Sequence, residues 1–346
     1  MHLELKIISP IHWMGWDELL ISAEDYSFFH SSAWAKVLSE SYLYTPTYFT
    51  LFDDDKLLAL IPVMEVRSML TGRRGVSLPF TDYCEPIIDK SIRFQDVIHV
   101  MTQYGKKHSW KFLELRGGKA FLPNTISSSH YLSHSLDLSQ NEERIFLSFR
   151  ETTKRNIKKA ISGGVEVKLF QSFESIKEFY RLNSMTRKHH GLPPQPYHFF
   201  EKVYDHILSK NLGFIMLASY EKKNIAGGVY FHFGEKGVYK YGASDRKYLH
   251  LRANNLVMWE AIKWYCRNGY RSFCFGRTEP QNHGLRQFKN GWGTKERVIN
   301  YYRYDLTKDA FISDPPNVKK LYHELFGKMP TPLLNMLGSL LYRHVG

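Results

Sequence analysis

A segment close to the C-terminus combines glycines with cationic side chains at a spacing that suits an anionic ligand. It covers residues 275–293 and includes Arg277, Lys289 and Trp292. Glycine lets a backbone come close to a ligand, and arginine and lysine bind phosphate or carboxylate groups. A strand is expected over 271–275, just before this segment. The pattern therefore predicts an active-site wall at the end of a strand, and a Gly-rich surface turn is the alternative.

A second cationic segment lies earlier in the chain. Arg150, Lys154 and Lys158 recur every four residues, so that a helix over 150–160 would align them, and Arg155 lies beside them. A solvated helix face usually mixes charges of both signs, but no acidic residue follows position 151 within this segment. The pattern predicts a phosphate-binding helix, and a merely basic surface helix is the alternative.

The composition is that of a large folded protein with an excess of basic residues. Its 346 residues are long for one domain and comfortable for two, and 43% of them are hydrophobic. The 47 basic and 34 acidic residues give a formal net charge of +13. This balance favours anionic partners such as nucleic acid, nucleotide-linked substrates or anionic lipid, and does not choose among them. DNA is not expected as a partner.

Cysteine usage and hydropathy indicate the compartment. Cys84, Cys266 and Cys274 form no CxxC pair and are expected to be reduced thiols in the core. The first residues do not resemble a signal peptide, and no apolar run approaches the roughly twenty residues of a membrane span. We therefore expect a cytoplasmic protein. An amphipathic C-terminal helix over 331–344 is expected to pack on the body, with a peripheral membrane contact as the alternative.

The order of expected elements repeats along the chain. A hairpin, a helix and a strand that ends near glycine and arginine occur twice, at 47–66, 95–108 and 111–115, and then at 214–233, 256–268 and 271–275. Duplication of one α/β unit explains this order more simply than chance. We predict two domains with mixed α/β sheets, residues 1–135 and residues 136–346, the second carrying the C-terminal helix.

Four motifs, in this order, carry a family resemblance. They are the basic segment 150–160 followed by Gly-Gly-Val-Glu-Val at 163–167, the stretch 179–196 that ends in Gly-Leu-Pro-Pro-Gln-Pro, Tyr-Gly-Ala-Ser-Asp at 241–245 with Asn-Asn-Leu at 254–256, and Phe-Lys-Asn-Gly-Trp-Gly at 288–293. Together they resemble the Fem-like transferases, a family built from two acetyltransferase-like (GNAT) domains. The subgroup that looks most similar is linked to exopolysaccharide and exosortase gene clusters.

The resemblance implies both a fold and an activity. The fold would be tandem GNAT-like domains, and the activity would be transfer of an aminoacyl or acyl group to an amine or hydroxyl of a peptidoglycan, other cell-envelope or exopolysaccharide precursor. In the family, the arginine that matches Arg155 helps to bind the diphosphate of a nucleotide-linked or lipid-linked precursor. The lysine that matches Lys289 lies near the acceptor's phosphates and the reacting centre.

The expected chemistry requires positive charge beside the reacting carbonyl. Attack of an amine on an ester or thioester builds negative charge on the carbonyl oxygen, which a cation or an amide N–H stabilises. Lys289 and Arg277 are the candidates. If a carboxylate acts as base, Asp245 and Glu279 come first and Asp82 third, although each could equally be a structural partner of a nearby arginine.

Several aromatic and histidine residues near these motifs have more ordinary explanations. Tyr241 and Trp292 are expected in the core or in the lining of the substrate pocket. His189 and His190 have no zinc-binding spacing around them, and we expect no metal.

The donor remains open between aminoacyl-tRNA and acyl-CoA, neither of them tightly bound. A GNAT domain normally grips the CoA pyrophosphate with a Gly-rich loop before a helix. The equivalent residues here, 246–255, contain no glycine, and Leu249, Leu251 and Ala253 are expected to crowd the diphosphate. This disfavours acetyl-CoA. However, Fem-like proteins that use tRNA often add a coiled-coil arm, and no charged heptad run of that kind occurs here.

Three functions are compatible with these patterns. The first is a Fem-like aminoacyl or acyl transferase. The second is a non-catalytic two-GNAT module that binds RNA or another anionic polymer through its basic face. The third is a CoA-dependent N-acetyltransferase.

Overall fold

Short strands and helices alternate along the chain, as the hydrophobic patterns predict. The computed structural model describes residues 5–313 and 320–346. These fall into two units, each with its own hydrophobic core. The first unit contains residues 5–131, 298–313 and 341–346, and the second contains 132–297 and 320–340.

The first unit begins with eight strands and three α-helices. The strands are β1 (Lys6–Ile8), β2 (Thr45–Pro46), β3 (Tyr48–Asp53), β4 (Lys56–Ile61), β5 (Met64–Ser68), β6 (Gly72–Val76), β7 (Ile87–Ile88) and β8 (Phe112–Arg116). The helices are α1 (Trp16–Ile21), α2 (Ser32–Tyr42) and α3 (Phe94–Lys107), with a 3-10 helix at Phe28–His30. The region 47–66, predicted as a two-stranded hairpin, thus contains the hairpin β3–β4 and the start of a further strand, β5.

The second unit follows with six strands and six α-helices. The strands are β9 (Ser129–Asp137), β10 (Glu166–Phe170), β11 (Gly213–Tyr220), β12 (Lys223–Phe233), β13 (Lys236–Ser244) and β14 (Ser272–Thr278). The helices are α4 (Glu142–Ser148), α5 (Glu151–Ser162), α6 (Phe173–His189), α7 (Tyr197–His206), α8 (Ala253–Arg267) and α9 (His283–Asn290), with 3-10 helices at Leu208–Lys210 and Arg246–Leu251. The last elements are β15 (Lys295–Asp305), β16 (Ala310–Ile312), α10 (Lys320–Lys328) and α11 (Thr331–Val345).

Both units contain mixed sheets. In the first unit β1, β3, β4 and β7 form an antiparallel sheet, and the order β15-β8-β6-β5-β2 forms a second sheet in which β6 and β8 are parallel. In the second unit the order is β10-β11-β12-β13-β14-β9, with β13 and β14 parallel and the other neighbours antiparallel. Each parallel pair is connected through a helix, α3 or α8. The predicted α/β class and the repeated hairpin, helix and strand are confirmed.

The division into units is not the single cut between 135 and 136 that the sequence predicts. The chain enters the second unit at Leu132, and residues 298–313 belong to the first unit again. The physical reason is strand pairing, because the second half of β15 forms an antiparallel ladder with β8, as in the pair Tyr301 and Arg116. The pairing of a strand with a partner distant in sequence cannot be predicted from the residues around it.

The C-terminal helix α11 packs on the body through one face and exposes apolar side chains on another. Leu334 and Gly338 are buried, and Gly338 lies so close to the carbonyl of Pro194 that a side chain could not be added. Leu333 and Met336 are exposed. Within the described ranges, no helix is long and apolar enough to cross a membrane.

Candidate active site

A cavity of about 190 Å³ opens in the second unit at the C-terminal end of β13. Its wall is formed by the start of β12, the end of β13, the 3-10 helix Arg246–Leu251, the first turn of α8 and Phe288 of α9. The C-terminal ends of parallel strands beside a helix N-terminus are a common place for anionic ligands, because the free N–H groups of the helix point there. This cavity lies in the 246–255 region that the sequence identifies as equivalent to a pyrophosphate loop.

Strands β13 and β14 separate after a short parallel ladder. The two parallel strands pair only at 236–238 with 272–274, although β13 continues to Ser244 beside β12. Beyond this point β14 follows β9, with a shift of register between Cys274 and Arg277. Gly276 lies inside the shift with a φ of 70°, a left-handed conformation that favours glycine. The bulge therefore explains why glycine precedes arginine at this position.

The glycine-free turn lines the cavity without filling it. Leu249 and Ala253 contribute to the wall, as the sequence predicts, whereas Leu251 packs against the core of the second unit. Arg252 has a φ of 59°, immediately precedes α8 and also lines the cavity. Arg252 is not among the site residues predicted from the sequence. The available signal was a cation immediately before a helix N-terminus, where an anion and the helix dipole would attract each other.

Asp245 lines the same cavity, but both of its carboxylate oxygens already have partners. Its side chain is buried, and Oδ1 accepts a hydrogen bond of 3.1 Å from the backbone N–H of Lys247. Its Oδ2 lies 3.5 Å from the ammonium nitrogen of Lys223. Asp245 thus caps the 3-10 helix that forms the cavity wall and pairs with a lysine, whereas the structural alternative predicted from the sequence was an arginine partner.

The predicted basic helix is α5. It buries Thr153, Ile157 and Ala160 and leaves most of its cations exposed, including Arg155 and Lys158. The predicted phosphate-binding residues 150, 154, 155 and 158 therefore lie on an accessible helix.

The contacts of α5 place it beside the cavity wall. The backbone N–H of Arg150 donates to the carbonyl of Gly291, directly after α9, at 2.9 Å. Gly163 at the other end of α5 lies close to Leu251 of the 3-10 helix. Both of these elements, α9 and the 3-10 helix, contribute residues to the cavity wall. One cation is partly neutralised, because Lys154 forms a 2.9 Å ion pair with Glu151.

Lys289 is buried rather than exposed to a ligand. Only 3% of the residue is accessible, and its ammonium group donates to the carbonyl oxygens of Gly276 at 2.9 Å and Arg277 at 3.0 Å. It lies on α9, a helix within the segment for which the sequence predicted an active-site wall, with a Gly-rich turn as the alternative. Because the ammonium group is engaged at the bulge of β14, this geometry gives Lys289 a positioning role, and the predicted direct contact with substrate stays untested.

The remaining predicted residues lie in three different environments. Arg277 is half-buried on β14. Tyr241 contacts Phe200, with ring centroids 5.5 Å apart, and Trp292 is fully buried against Phe149 at 5.0 Å. Trp292 is therefore a core residue, the first of the two alternatives that the sequence allowed.

Two carboxylates that the sequence named as further candidate bases lie outside the cavity wall. Glu279 is exposed just after β14, and Asp82 belongs to the first unit. Neither contributes to the lining of the cavity. In the part of the chain that the structure describes, no group of three or more His, Cys, Asp or Glu side chains could hold a metal ion.

A buried histidine beside Lys289, His134, is not among the site residues predicted from the sequence. His134 on β9 is fully buried, with Nε2 3.1 Å from Oε2 of Glu296, which also forms two 2.7 Å contacts with Arg286. Burial lowers the pKa of His134, and the nearby charge of Lys289 lowers it further. The strand alternation was a usable signal, because Leu132 and Leu136 share its buried face.

Comparison with known proteins places these elements in a family context. The sequence profile of the acetyltransferase (GNAT) domain matches residues 148–290, which include α5, the cavity wall and α9. A relative described as "Lipid II:glycine glycyltransferase" from Staphylococcus haemolyticus (strain JCSC1435) is 19% identical over 245 residues. That match covers 50% of this chain and spans 58% of the length of the relative.

Solved structures extend the similarity to most of the chain. The crystal structure of FemX superposes with a TM-score of 0.68 at 12% identity, covering 86% of this chain and 97% of that protein. A tandem GNAT protein from the clavulanic acid biosynthesis pathway gives a TM-score of 0.56 at 8% identity, covering 88% and 99%. At these identities the comparison concerns the fold.

Proposed function

We propose that this Fem-like chain of tandem GNAT fold transfers an aminoacyl or acyl group to an amine or hydroxyl of a cell-envelope precursor. The fold predicted from the sequence is confirmed by the FemX and tandem GNAT structures. The relative named as a lipid II glycyltransferase supports a lipid-linked peptidoglycan precursor as acceptor. An exopolysaccharide precursor, suggested by the subgroup resemblance, stays a prediction.

The cavity before α8 is the proposed site for the anionic part of the donor. The first N–H groups of α8 and the guanidinium of Arg252 supply positive potential there. An acyl-CoA would place its pyrophosphate at this position, and an aminoacyl-tRNA would place a phosphate of its 3′ end. The side chain of Leu249 reduces the space beside the backbone, where the pyrophosphate of CoA would have to bind closely. This favours aminoacyl-tRNA over acyl-CoA as the donor.

The basic helix is the proposed site for the phosphates of the acceptor. Arg155 and Lys158 are exposed on α5, and both ends of that helix contact elements that form the cavity wall. Charge-assisted hydrogen bonds from arginine to phosphate are short and directional, so they can fix the acceptor's position. Arg277, half-buried at the end of β14, is the proposed cation nearest to the reacting carbonyl.

The proposed reaction is nucleophilic acyl transfer. The amine or hydroxyl of the acceptor forms a new bond to the carbonyl carbon of the donor, and the carbon–oxygen bond to tRNA, or the carbon–sulfur bond to CoA, breaks. The attacking group loses a proton, which is transferred to the leaving oxygen or sulfur. A group of the substrate itself can relay this proton. The developing oxyanion requires a cation or an N–H donor, and Lys289 keeps the bulge that carries Arg277 in place.

The observation that carries this proposal is the cavity at the N-terminus of α8 in a chain whose fold is Fem-like. The test incubates the purified protein with a lipid-linked disaccharide-pentapeptide and either charged tRNAs or a set of acyl-CoA thioesters. We expect mass spectrometry to show an acceptor gaining one aminoacyl or acyl group with one donor class. Reactions without donor are the negative control, and protein carrying Arg252→Gln should transfer more slowly at subsaturating donor because its donor affinity is lower.

The exposed cations of α5 favour a second candidate, a non-catalytic module that binds RNA or an anionic polymer. Saturable binding of precursor with no mass gain for either donor class would establish that function and reject the transferase. Transfer from acyl-CoA alone would instead place the protein among CoA-dependent acyltransferases.

A further inference from the structure

The β5–β6 hairpin of the first unit presents two large apolar side chains at its tip. Met69 is 100% exposed and Leu70 is 69% exposed. Single exposed apolar residues are ordinary. Two adjacent ones at the tip of a hairpin form a small apolar patch that water solvates poorly. Neither residue is needed for the turn, because Gly72 supplies the left-handed conformation with a φ of 84°.

Buried polar contacts hold this tip in place. The hydroxyl of Ser68 accepts hydrogen bonds from the backbone N–H groups of Leu70 at 3.1 Å and Thr71 at 2.9 Å. The guanidinium of Arg74, 4% exposed, donates to oxygens of His344 at 2.7 Å and Gly346 at 2.6 Å. The hairpin is therefore fixed to the end of α11, and its apolar tip is preorganised rather than loose.

Cations surround the tip. Arg67 and Arg73 flank it on the two strands, Lys111 lies against Gly72, and Arg343 precedes His344 at the end of α11. Arg67 pairs with Glu65 at 2.5 Å, and no other acidic residue occurs between positions 66 and 81 or after position 324. The tip thus combines a small apolar patch with a rim of positive charge formed by these cations.

We propose that this hairpin docks the protein on an anionic lipid bilayer. Met69 and Leu70 enter the boundary between headgroups and acyl chains, and the surrounding arginines bind lipid phosphates. The charge pattern selects the occupant, since a positive rim around an apolar tip complements an anionic lipid surface and would repel the same surface on a second copy of the chain. The proposal rests on the proposed function in one respect: a lipid-linked acceptor lies at a membrane surface, where the protein would have to bind.

The test measures co-sedimentation with vesicles of phosphatidylcholine alone and with 30% phosphatidylglycerol, without precursor or donor. We expect the wild-type protein to prefer the anionic vesicles and to lose binding as salt rises. Met69→Ser/Leu70→Ser should lower the partition coefficient about tenfold or more, because two apolar side chains no longer leave water. The matched control, Met14→Ser/Ile126→Ser, changes side chains of 96% and 64% exposure elsewhere in the same unit and should bind normally.

A second pair of variants tests the rim. Arg73→Gln/Arg343→Gln should lower binding to anionic vesicles about tenfold or more, whereas Lys90→Gln/Lys119→Gln, at exposed sites of the first unit, should change it much less. Equal partitioning of the tip variant and the wild-type protein would overturn the proposal. So would a wild-type oligomer, formed without lipid, that the tip variant dissociates, because a second copy would then cover the tip.

Vesicle binding and group transfer are independent readouts. A protein that binds vesicles but transfers nothing would retain the docking surface and reject the proposed transferase. A protein that transfers a group to a detergent-solubilised acceptor but does not bind vesicles would support the transferase and reject the docking surface.

Discussion

The ammonium group of Lys289 donates a 2.9 Å hydrogen bond to the carbonyl oxygen of Gly276, at the bulge near the end of β14. Lys289 lies on α9, so this contact fixes the helix and the bulge to each other. A residue that sequence similarity associates with the reacting centre thus supports the backbone from which Arg277 extends. A positioning role of this kind predicts a loss of stability as well as a loss of activity.

Replacing Lys289 by methionine should destabilise the protein. The change leaves the buried carbonyls of Gly276 and Arg277 without their charged donor, which should lower the free energy of unfolding by about 3 kcal/mol. Urea denaturation followed by circular dichroism measures the effect. The control Lys295→Met, at an exposed site, should stay within about 0.5 kcal/mol of wild type. A Lys289→Met protein of unchanged stability that fails to bind precursor would instead show a direct contact with the ligand.

Arg155 should contribute to precursor binding without contributing to the fold. Its side chain is exposed on α5, so Arg155→Ala removes a charge-assisted contact with phosphate worth about 1.5 to 3 kcal/mol, or roughly a tenfold or greater loss of affinity. Isothermal titration with a lipid-linked or nucleotide-linked precursor measures it. Lys168→Ala, an exposed cation on β10, is the control and should bind normally. Equal affinities for the two variants would remove α5 from the acceptor site.

Arg252 should contribute to binding of the donor. Arg252→Gln removes the cation that lines the cavity before α8 and should weaken binding of the phosphate-bearing donor about tenfold, with the acceptor affinity unchanged. Lys247→Gln in the adjacent 3-10 helix is the control, because Lys247 is exposed and does not line the cavity. Thermal-shift titrations with acyl-CoA thioesters and charged tRNAs provide the affinities. Identical donor binding by Arg252→Gln and wild type would move the donor site elsewhere.

Asp245 distinguishes a structural carboxylate from a general base. Asp245→Asn keeps an oxygen that can accept the N–H of Lys247, so the free energy of unfolding should change by less than about 1 kcal/mol and turnover by less than about threefold. Asp245→Ala loses the cap and should be about 1 kcal/mol less stable. A hundredfold fall in kcat for Asp245→Asn at unchanged stability would identify the residue as a base.

The buried His134 should make stability fall in mild acid. Its pKa is lowered in the folded protein by burial and by Lys289, so the unfolded chain binds the proton more readily. The stabilising contribution of the neutral ring is therefore complete above the unfolded pKa of about 6.5 and is lost as pH falls below it. Urea denaturation at pH 7.5 and pH 5.0 should show a smaller acid loss for His134→Gln than for wild type. An identical loss in both proteins would contradict this assignment.

The sequence by itself determined the elements whose signals are local. The cation spacing of α5 and the hairpin, helix and strand that occur twice follow from backbone preferences and side-chain periodicity, which act over a few residues. The order of four short motifs also indicated the Fem-like fold, because their spacing reflects the whole domain.

Only the tertiary structure decided which charged groups are available for chemistry. Lys289 and Arg155 both appear in the sequence as free cations, but the first is buried by contacts with carbonyls thirteen and twelve positions away, and the second remains exposed. The return of β15 to the first unit and the contact of His134 with Glu296 likewise depend on partners distant in sequence. Contacts between residues distant in sequence depend on the whole fold, so no local pattern of residues predicts them.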